Sequence, residues 1–146
     1  MPRVARNALP DGVFHVTGRG VARGVIFRDG IDYADFERHL FRVREEYFWT
    51  LHAYCLLPNH YHLIVETTRR HLSDGMHKLN GRYARRFNER YDRVGHVFQN
   101  RFSSYVIESE QHFERALAYV CANPVAAGLC ERVEEWPWLG GPADMS

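Results

Sequence analysis

The chain has 146 residues and a formal net charge of +1 at pH 7, and 45% of its residues are hydrophobic. This length suits one well-packed domain, so we expect residues 1–146 to form a single domain that frays from about residue 139. The apolar stretches are of strand length and no signal-peptide pattern is present, so we expect a cytoplasmic protein without a membrane span. The three cysteines form no Cys-x-x-Cys pattern and predict neither a zinc knuckle nor a disulfide framework.

The charges are segregated along the chain. Residues 67–105 contain nine Lys and Arg against three Asp and Glu, whereas residues 106–146 contain two against seven. A local basic block attracts a polyanion even when the whole chain is nearly neutral. The alternative is a basic helix face that is only solvated.

Periodicity and turn residues predict three strands and one helix in the first half of the chain. Alternation of apolar and polar side chains predicts the strands, and apolar residues every three or four positions predict the helix. Pro58 and Asn59 join the last two strands into an antiparallel hairpin. The predicted elements are a strand at 13–17, an extended piece at 25–27, a helix over 31–47, and strands at 48–57 and 60–67.

A second helix is predicted to run to about Tyr91, with Ser73 and Asp74 as its N-cap. Its buried stripe consists of Leu72, Met76, Leu79, Tyr83 and Phe87. On the other side, four basic residues recur every fourth position and form a ridge about 18 Å long, which can follow a nucleic-acid backbone. This basic ridge consists of Lys78, Arg82, Arg86 and Arg90.

A strand at 102–108 and a third helix complete the predicted elements. Ser109 caps this helix, and Pro124 is expected to end it near Asn123. Its buried side consists of Phe113, Leu117 and Val120. The order strand, helix, hairpin, helix, strand, helix predicts an α+β fold, in which an antiparallel β-sheet has helices packed mainly on one face.

His60 and His62 stand two residues apart at the beginning of the predicted strand 60–67. Alternate side chains of a strand share one face, so the two imidazoles can ligate one divalent metal ion. The alternative for a bare His-x-His pair is packed or surface histidines. The turn before the pair places it at an edge of the sheet, where sites are commonly built.

Tyr119 and Asn123 are four residues apart on the third helix and therefore share one helix face. A hard divalent metal held by two imidazoles takes further oxygen ligands, and an Asn carbonyl can supply one. A tyrosine hydroxyl becomes an effective nucleophile when a nearby cation stabilises the phenolate or polarises the group under attack. The alternative for Tyr119 is an ordinary core or surface aromatic residue.

Five sequence blocks, in order along nearly the whole chain, resemble the HUH single-tyrosine transposases of the insertion-sequence-200-like family and, among them, the REP-associated tyrosine transposases. The blocks are FHVTGRG at 14–20, HAYCLLPNHYH at 52–62, LNGRY at 79–83, GHVFQNRF at 95–102 and YVCANPVAAGL at 119–129. One departure is Tyr61, because the U in the family name HUH stands for an aliphatic residue between the two histidines. Alternation along the strand places its hydroxyl on the face opposite the histidines, which argues against Tyr61 as the nucleophile.

The resemblance implies a ferredoxin-like HUH palm with His60 and His62 as ligands of Mg²⁺ or Mn²⁺, Asn123 as the third ligand and Tyr119 as the nucleophile. It also implies a single-stranded or hairpin DNA substrate and a 5′-phosphotyrosyl intermediate, in DNA transposition or repeat processing. A protein with such a substrate is expected at the nucleoid. The resemblance further implies either a monomer or a homodimer with shared active sites.

Basic residues are the candidate contacts to DNA phosphates. They are Arg19, Arg23, Lys78, Arg82, Arg86, Arg90 and Arg101. Two other functions remain open on the sequence: a DNA-binding module or repressor that keeps the fold without turnover, and a metallonuclease that uses water in place of Tyr119.

Overall fold

The computed structural model of the protein describes residues 12–141, in which five strands form one antiparallel sheet of order β4-β1-β3-β2-β5 with three α-helices. The strands are β1 (Gly12–Arg19), β2 (Thr50–Leu57), β3 (His60–Thr67), β4 (Ser103–Ile107) and β5 (Leu139–Gly140). The helices are α1 (Gly30–Glu46), α2 (Arg69–Arg90) and α3 (Glu110–Ala126). Within the described residues, no helix combines the length and the apolar character that a membrane span requires.

Strand β3 lies at the centre of the sheet. It pairs with β1 along its whole length, from Gly12 opposite Thr67 to Arg19 opposite His60. On its other side it pairs with β2, so the predicted antiparallel hairpin is confirmed. Strands β1 and β4 then pair in the register that sets His15 opposite Tyr105. The histidine pair therefore lies at the start of the central strand, which is paired on both sides.

The two faces of the sheet carry different helices. Helices α1 and α2 cover one face, where Phe36 and Tyr83 pack with Leu63 and Val65 in the main core. Helix α3 covers part of the other face, where Val120 packs in a smaller cluster with residues of β2 and β3. The predicted α+β fold with helices mainly on one face is confirmed, because two of the three helices share a face.

Helix α2 begins earlier than predicted. Its N-cap is Thr68, whose hydroxyl accepts a hydrogen bond from the His71 N–H, so the prediction of Ser73 and Asp74 as N-cap is wrong. Both residues lie within the helix, beyond the first turn that Thr68 caps. The predicted buried stripe of this helix is confirmed.

Helix α3 continues past the predicted end at Asn123 to Ala126. Pro124 removes one donor, but it lies in the last turn, and the Ala127 N–H still donates to the Asn123 carbonyl. The Ser109 cap is confirmed, since its hydroxyl accepts from the His112 N–H. A proline so close to a helix end removes few helical hydrogen bonds, so the helix can continue past Asn123 to Ala126.

The predicted fraying from about residue 139 is also wrong for the first residues of that segment. Leu139 and Gly140 form strand β5 and pair with Cys55 and Tyr54. The Trp136 indole donates to the Leu56 carbonyl at 2.9 Å and anchors the approach to this strand. Residues 142–146 lie outside the described residues.

We expect two alanine substitutions within α2 to have opposite effects on stability. A Cβ at Gly75 would lie 2.5 Å from Cζ2 of Trp49, a buried ring that donates to the His71 carbonyl, whereas a Cβ at Gly81 meets nothing within 4 Å. Gly81→Ala should stabilise the protein by up to about 1 kcal/mol through helix propensity. Gly75→Ala should be destabilising, since overpacking of this kind costs about 1–3 kcal/mol.

The measurement is urea unfolding of the two variants beside the unchanged chain. Equal stability of Gly75→Ala and Gly81→Ala would contradict the packing of Trp49 against α2.

Candidate functional site

His60 and His62 project from β3 toward the face that carries α3. Their ring centroids are 5.0 Å apart and the rings are nearly perpendicular, at 84°. Tyr61 between them points into the main core, where its hydroxyl donates to Oδ1 of Asn80 at 2.7 Å. The alternation expected from the sequence is thus confirmed. Burial raises the pKa of Tyr61, which further disfavours its use as a nucleophile.

Strand β1 brings two more polar side chains to the histidine pair. Nδ1 of His62 lies 3.0 Å from Nε2 of His15 and 3.2 Å from Oγ1 of Thr17. Sequence reasoning missed both residues as parts of the site. Their signal was the alternation that puts His15 and Thr17 on one face of the first strand, but only the register with β3 places that face beside His62.

The nitrogen atoms of the pair fit a metal ion. Nδ1 of His60 lies 2.8 Å from Oδ1 of Asn59, which leaves Nε2 of His60 as a ligand atom. Nε2 of His62 is buried and has no hydrogen-bond partner among residues 12–141. A buried polar atom without a partner is uncommon, and metal ligation would satisfy it. No group of three or more His, Cys, Asp and Glu side chains within residues 12–141 is arranged for a metal, so further ligands would come from other groups.

Both imidazoles are neutral at pH 7, as metal ligation requires. Burial lowers the pKa of His62 to about 3, with further contributions from His60, His15 and Arg19. Burial and then Arg19 lower the pKa of His60. The low pKa follows from the position of the pair in the sheet, because a desolvated imidazole resists protonation.

Tyr119 lies beside the histidine pair in the same chain. Its ring centroid is 5.5 Å from that of His62 and 5.9 Å from that of His15. The residue is 57% exposed, so its hydroxyl is accessible to a large substrate. Asn123 is partly buried one turn later, and its side-chain nitrogen donates to the Tyr119 carbonyl at 3.3 Å. The structure thus brings Tyr119 to the histidines, while the described hydrogen bond of Asn123 is within its own helix.

Some residues of the basic ridge of α2 form ion pairs with carboxylates, and others do not among the described residues. Arg82 contacts Glu46 at 2.9 Å. Arg90 contacts Asp29 and Asp32, each at 2.7 Å, and its hydrogen bond lowers the pKa of Asp29 to about 2. These ion pairs join α2 to α1 on the face opposite the histidine pair. The basic candidates that are exposed and form no ion pair within residues 12–141 are Arg19, Arg23, Lys78, Arg86 and Arg101.

Arg19 is the basic candidate next to the histidine pair. It ends β1 directly opposite His60 in the sheet register, and its charge contributes to the low pKa of His60. Lys78 and Arg86 lie on α2, which packs on the opposite face of the sheet. The predicted DNA contacts therefore occupy two separate surfaces.

Comparison with known proteins gives a consistent family signal. The family described as IS200-like transposases matches residues 11–123. A Haemophilus influenzae protein named as a REP-associated tyrosine transposase is 27% identical over 113 residues, which cover 69% of this chain and 64% of that protein. The chain therefore spans less than two thirds of the length of this relative.

Two solved structures share the fold. One is a REP-associated tyrosine transposase bound to a REP hairpin, with a TM-score of 0.73 and 19% identity over 90% of this chain and 77% of that chain. The other is a Deinococcus radiodurans protein named as a transposase, with a TM-score of 0.55 and 18% identity over 74% of this chain and 87% of that chain. At these identities the likeness concerns the fold.

We expect the paired and the exposed arginines of α2 to differ in their effect on stability. Arg90→Ala removes the charged partner of Asp32, a carboxylate that is only 3% exposed, and should lower the urea midpoint clearly. Arg86→Ala removes an exposed side chain and should change the free energy of unfolding by no more than about 0.5 kcal/mol. An unchanged midpoint in Arg90→Ala would show that this ion pair does not hold α2 to α1.

Proposed function

The chain belongs to the family of IS200-like transposases, and we propose that it cleaves and joins single-stranded DNA with Tyr119 as the nucleophile and a divalent metal as cofactor. The contact between Tyr119 and His62 within one chain, at 5.5 Å between ring centroids, carries this proposal. The 57% exposure of Tyr119 supports it as well, because a nucleophile that attacks DNA has to be reachable.

The proposed reaction exchanges one phosphoester for another. Oη of Tyr119 attacks the phosphorus atom, the bond from phosphorus to the 3′-oxygen breaks, the phenol loses its proton and the 3′-oxygen gains one. The products are a 5′-phosphotyrosyl link and a free 3′-hydroxyl. Attack of a 3′-hydroxyl on that link reverses the step on another DNA end. No external energy source is needed, because the covalent link retains the ester.

We propose His60, His62 and Asn123 as the residues that hold Mg²⁺ or Mn²⁺. The bound ion would neutralise charge on the scissile phosphate and orient it. The neutral imidazoles and the unpartnered Nε2 of His62 support this assignment. His15 and Thr17 act as positioning residues, since their contacts with Nδ1 fix the His62 ring and leave Nε2 for the metal.

We propose hairpin DNA with an unpaired flank as the substrate. The solved structure of a relative bound to a REP hairpin supports this choice. Such a substrate implies action in the cytoplasm at the nucleoid. The exposed basic residues are the proposed phosphate contacts. Arg82 and Arg90 should contribute less than the others, because each is already paired with a carboxylate.

We expect the protein to form a covalent adduct with DNA that survives denaturation. The assay uses a labelled hairpin DNA with single-stranded flanks of randomised sequence, incubated with Mg²⁺ or Mn²⁺ and resolved on a denaturing gel. Tyr119→Phe should abolish the adduct, because the attacking oxygen is missing. Tyr61→Phe is the matched control and should keep it, since Tyr61 is buried on the other face of β3.

The same adduct assay tests whether the reaction depends on a divalent metal. A chelator and His60→Ala should each remove the adduct, and His60→Ala should also weaken Mn²⁺ binding measured by electron paramagnetic resonance. DNA binding without any adduct in the unchanged chain would favour a DNA-binding module. Cleavage that persists in Tyr119→Phe would favour a metallonuclease that uses water.

We also expect each chain to complete its own site. The contact of Tyr119 with the His62 of the same chain supports this arrangement. A mixture of Tyr119→Phe and His60→Ala chains should therefore form no adduct. Recovery of adduct on mixing would contradict it and would indicate a homodimer that shares its sites.

A further inference from the structure

Helix α3 covers only part of the face that carries the histidine pair. Its Ala116 and Val120 pack on β2, on Ile64 of β3 and on Ile107 at the end of β4. Along the rest of β1 and β4 the same face is open: Ser103 and Tyr105 are exposed, and His15 and Thr17 are half-buried. Within residues 12–141, the sheet therefore presents an uncovered surface directly beside the candidate site.

The register defines what lies on this surface. In β1 and β4, Thr17 stands opposite Ser103 and His15 opposite Tyr105, and in β1 and β3, Thr17 stands opposite His62. Side chains paired across strands share one face, and neighbouring strands are about 4.8 Å apart. Tyr105 is thus two strands, or about 10 Å, from the histidine strand and on the same face.

Tyr105 is 66% exposed on β4, which is an edge strand of the described sheet and pairs there with β1. An aromatic residue that buries little surface contributes little to the core, yet strand pairing holds the backbone that carries the Tyr105 ring. Unpaired nucleobases stack on such rings, and the stacking tolerates any base.

Charge favours DNA as the molecule that occupies the surface. Arg19 continues the surface at the end of β1, next to His60, and its positive charge suits a phosphate backbone. Ser103 and Thr17, between Tyr105 and Arg19, are small and uncharged, so a DNA strand can pass over them. The surface thus combines an aromatic ring, a small polar middle and a cation, and it lies next to His15, whose ring centroid is 5.9 Å from that of Tyr119.

We propose that this surface, formed by Arg19, Thr17, Ser103 and Tyr105, binds the unpaired DNA segment next to the scissile phosphate, and that Tyr105 stacks on one of its bases. The proposal rests on the proposed function. It adds the path of the single strand and a residue that positions it. The base on Tyr105 and the phosphate on Arg19 hold two points of the DNA strand on the side of β3 that carries β1 and β4.

The test measures the affinity of the full chain for two fluorescein-labelled hairpin DNAs by fluorescence anisotropy, without divalent metal. One hairpin carries a single-stranded flank of randomised sequence and the other is blunt. Tyr105→Ala should weaken binding of the flanked hairpin by about 5- to 150-fold, and binding of the blunt hairpin much less. Tyr105→Phe keeps the ring and should bind as the unchanged chain does.

Phe48→Ala is the matched control, since Phe48 is 76% exposed in the connection between α1 and β2. It should leave both affinities unchanged. Wild-type affinity of Tyr105→Ala for the flanked hairpin, or a loss in Tyr105→Phe as large as in Tyr105→Ala, would overturn the proposal. A change of oligomeric state in Tyr105→Ala, seen by sedimentation, would overturn it as well and mark β4 as a protein interface.

The adduct assay separates this proposal from the proposed function. If Tyr119 forms the adduct and Tyr105→Ala binds normally, the function stands and the single-strand surface is wrong. If the unchanged chain binds neither hairpin, both fail together.

Discussion

The two-residue period of β3 is the constraint on which the site depends. Tyr61 fills the main core, where its ring packs against Phe36 and its hydroxyl donates to Asn80. The same ring lies over Gly18 of β1, where any side chain would collide with it. These contacts fix the register, and a slip of one residue would turn His60 and His62 into the core. The core thus determines the direction of the imidazoles.

As a result, the two nitrogen atoms of the His62 imidazole have different surroundings. His62 is 4% exposed, so its imidazole is kept neutral, and Nδ1 has His15 and Thr17 as partners. Nε2 remains buried and has no partner in the described part of the chain, and an unsatisfied buried nitrogen lowers the stability of a folded domain. Such a cost is expected where a binding function compensates for it. Tyr119 lies at the accessible end of this group of rings.

Local patterns in the sequence were enough to predict the hairpin, the buried stripe of α2 and the separation of Tyr61 from the histidines. Each of these follows from the period of a strand or a helix. The role of His15 could not be predicted, because it depends on how β1 and β3 pair, a contact between residues 47 positions apart. The Thr68 cap was missed because Ser73 and Asp74 offered equally suitable side chains, and only the main-chain path distinguishes them.

The charge segregation of the sequence has a structural cause as well as a proposed functional one. Part of the basic block on α2 meets carboxylates at the two ends of α1: Arg90 bonds to Asp29 and Asp32, and Arg82 bonds to Glu46. Charge that is neutralised between two helices attracts a polyanion weakly. Arg19, the exposed cation opposite His60, comes instead from a strand of the sheet. In the proposed DNA complex, the orientation of DNA at the site should therefore depend more on β1 than on the longer basic ridge of α2.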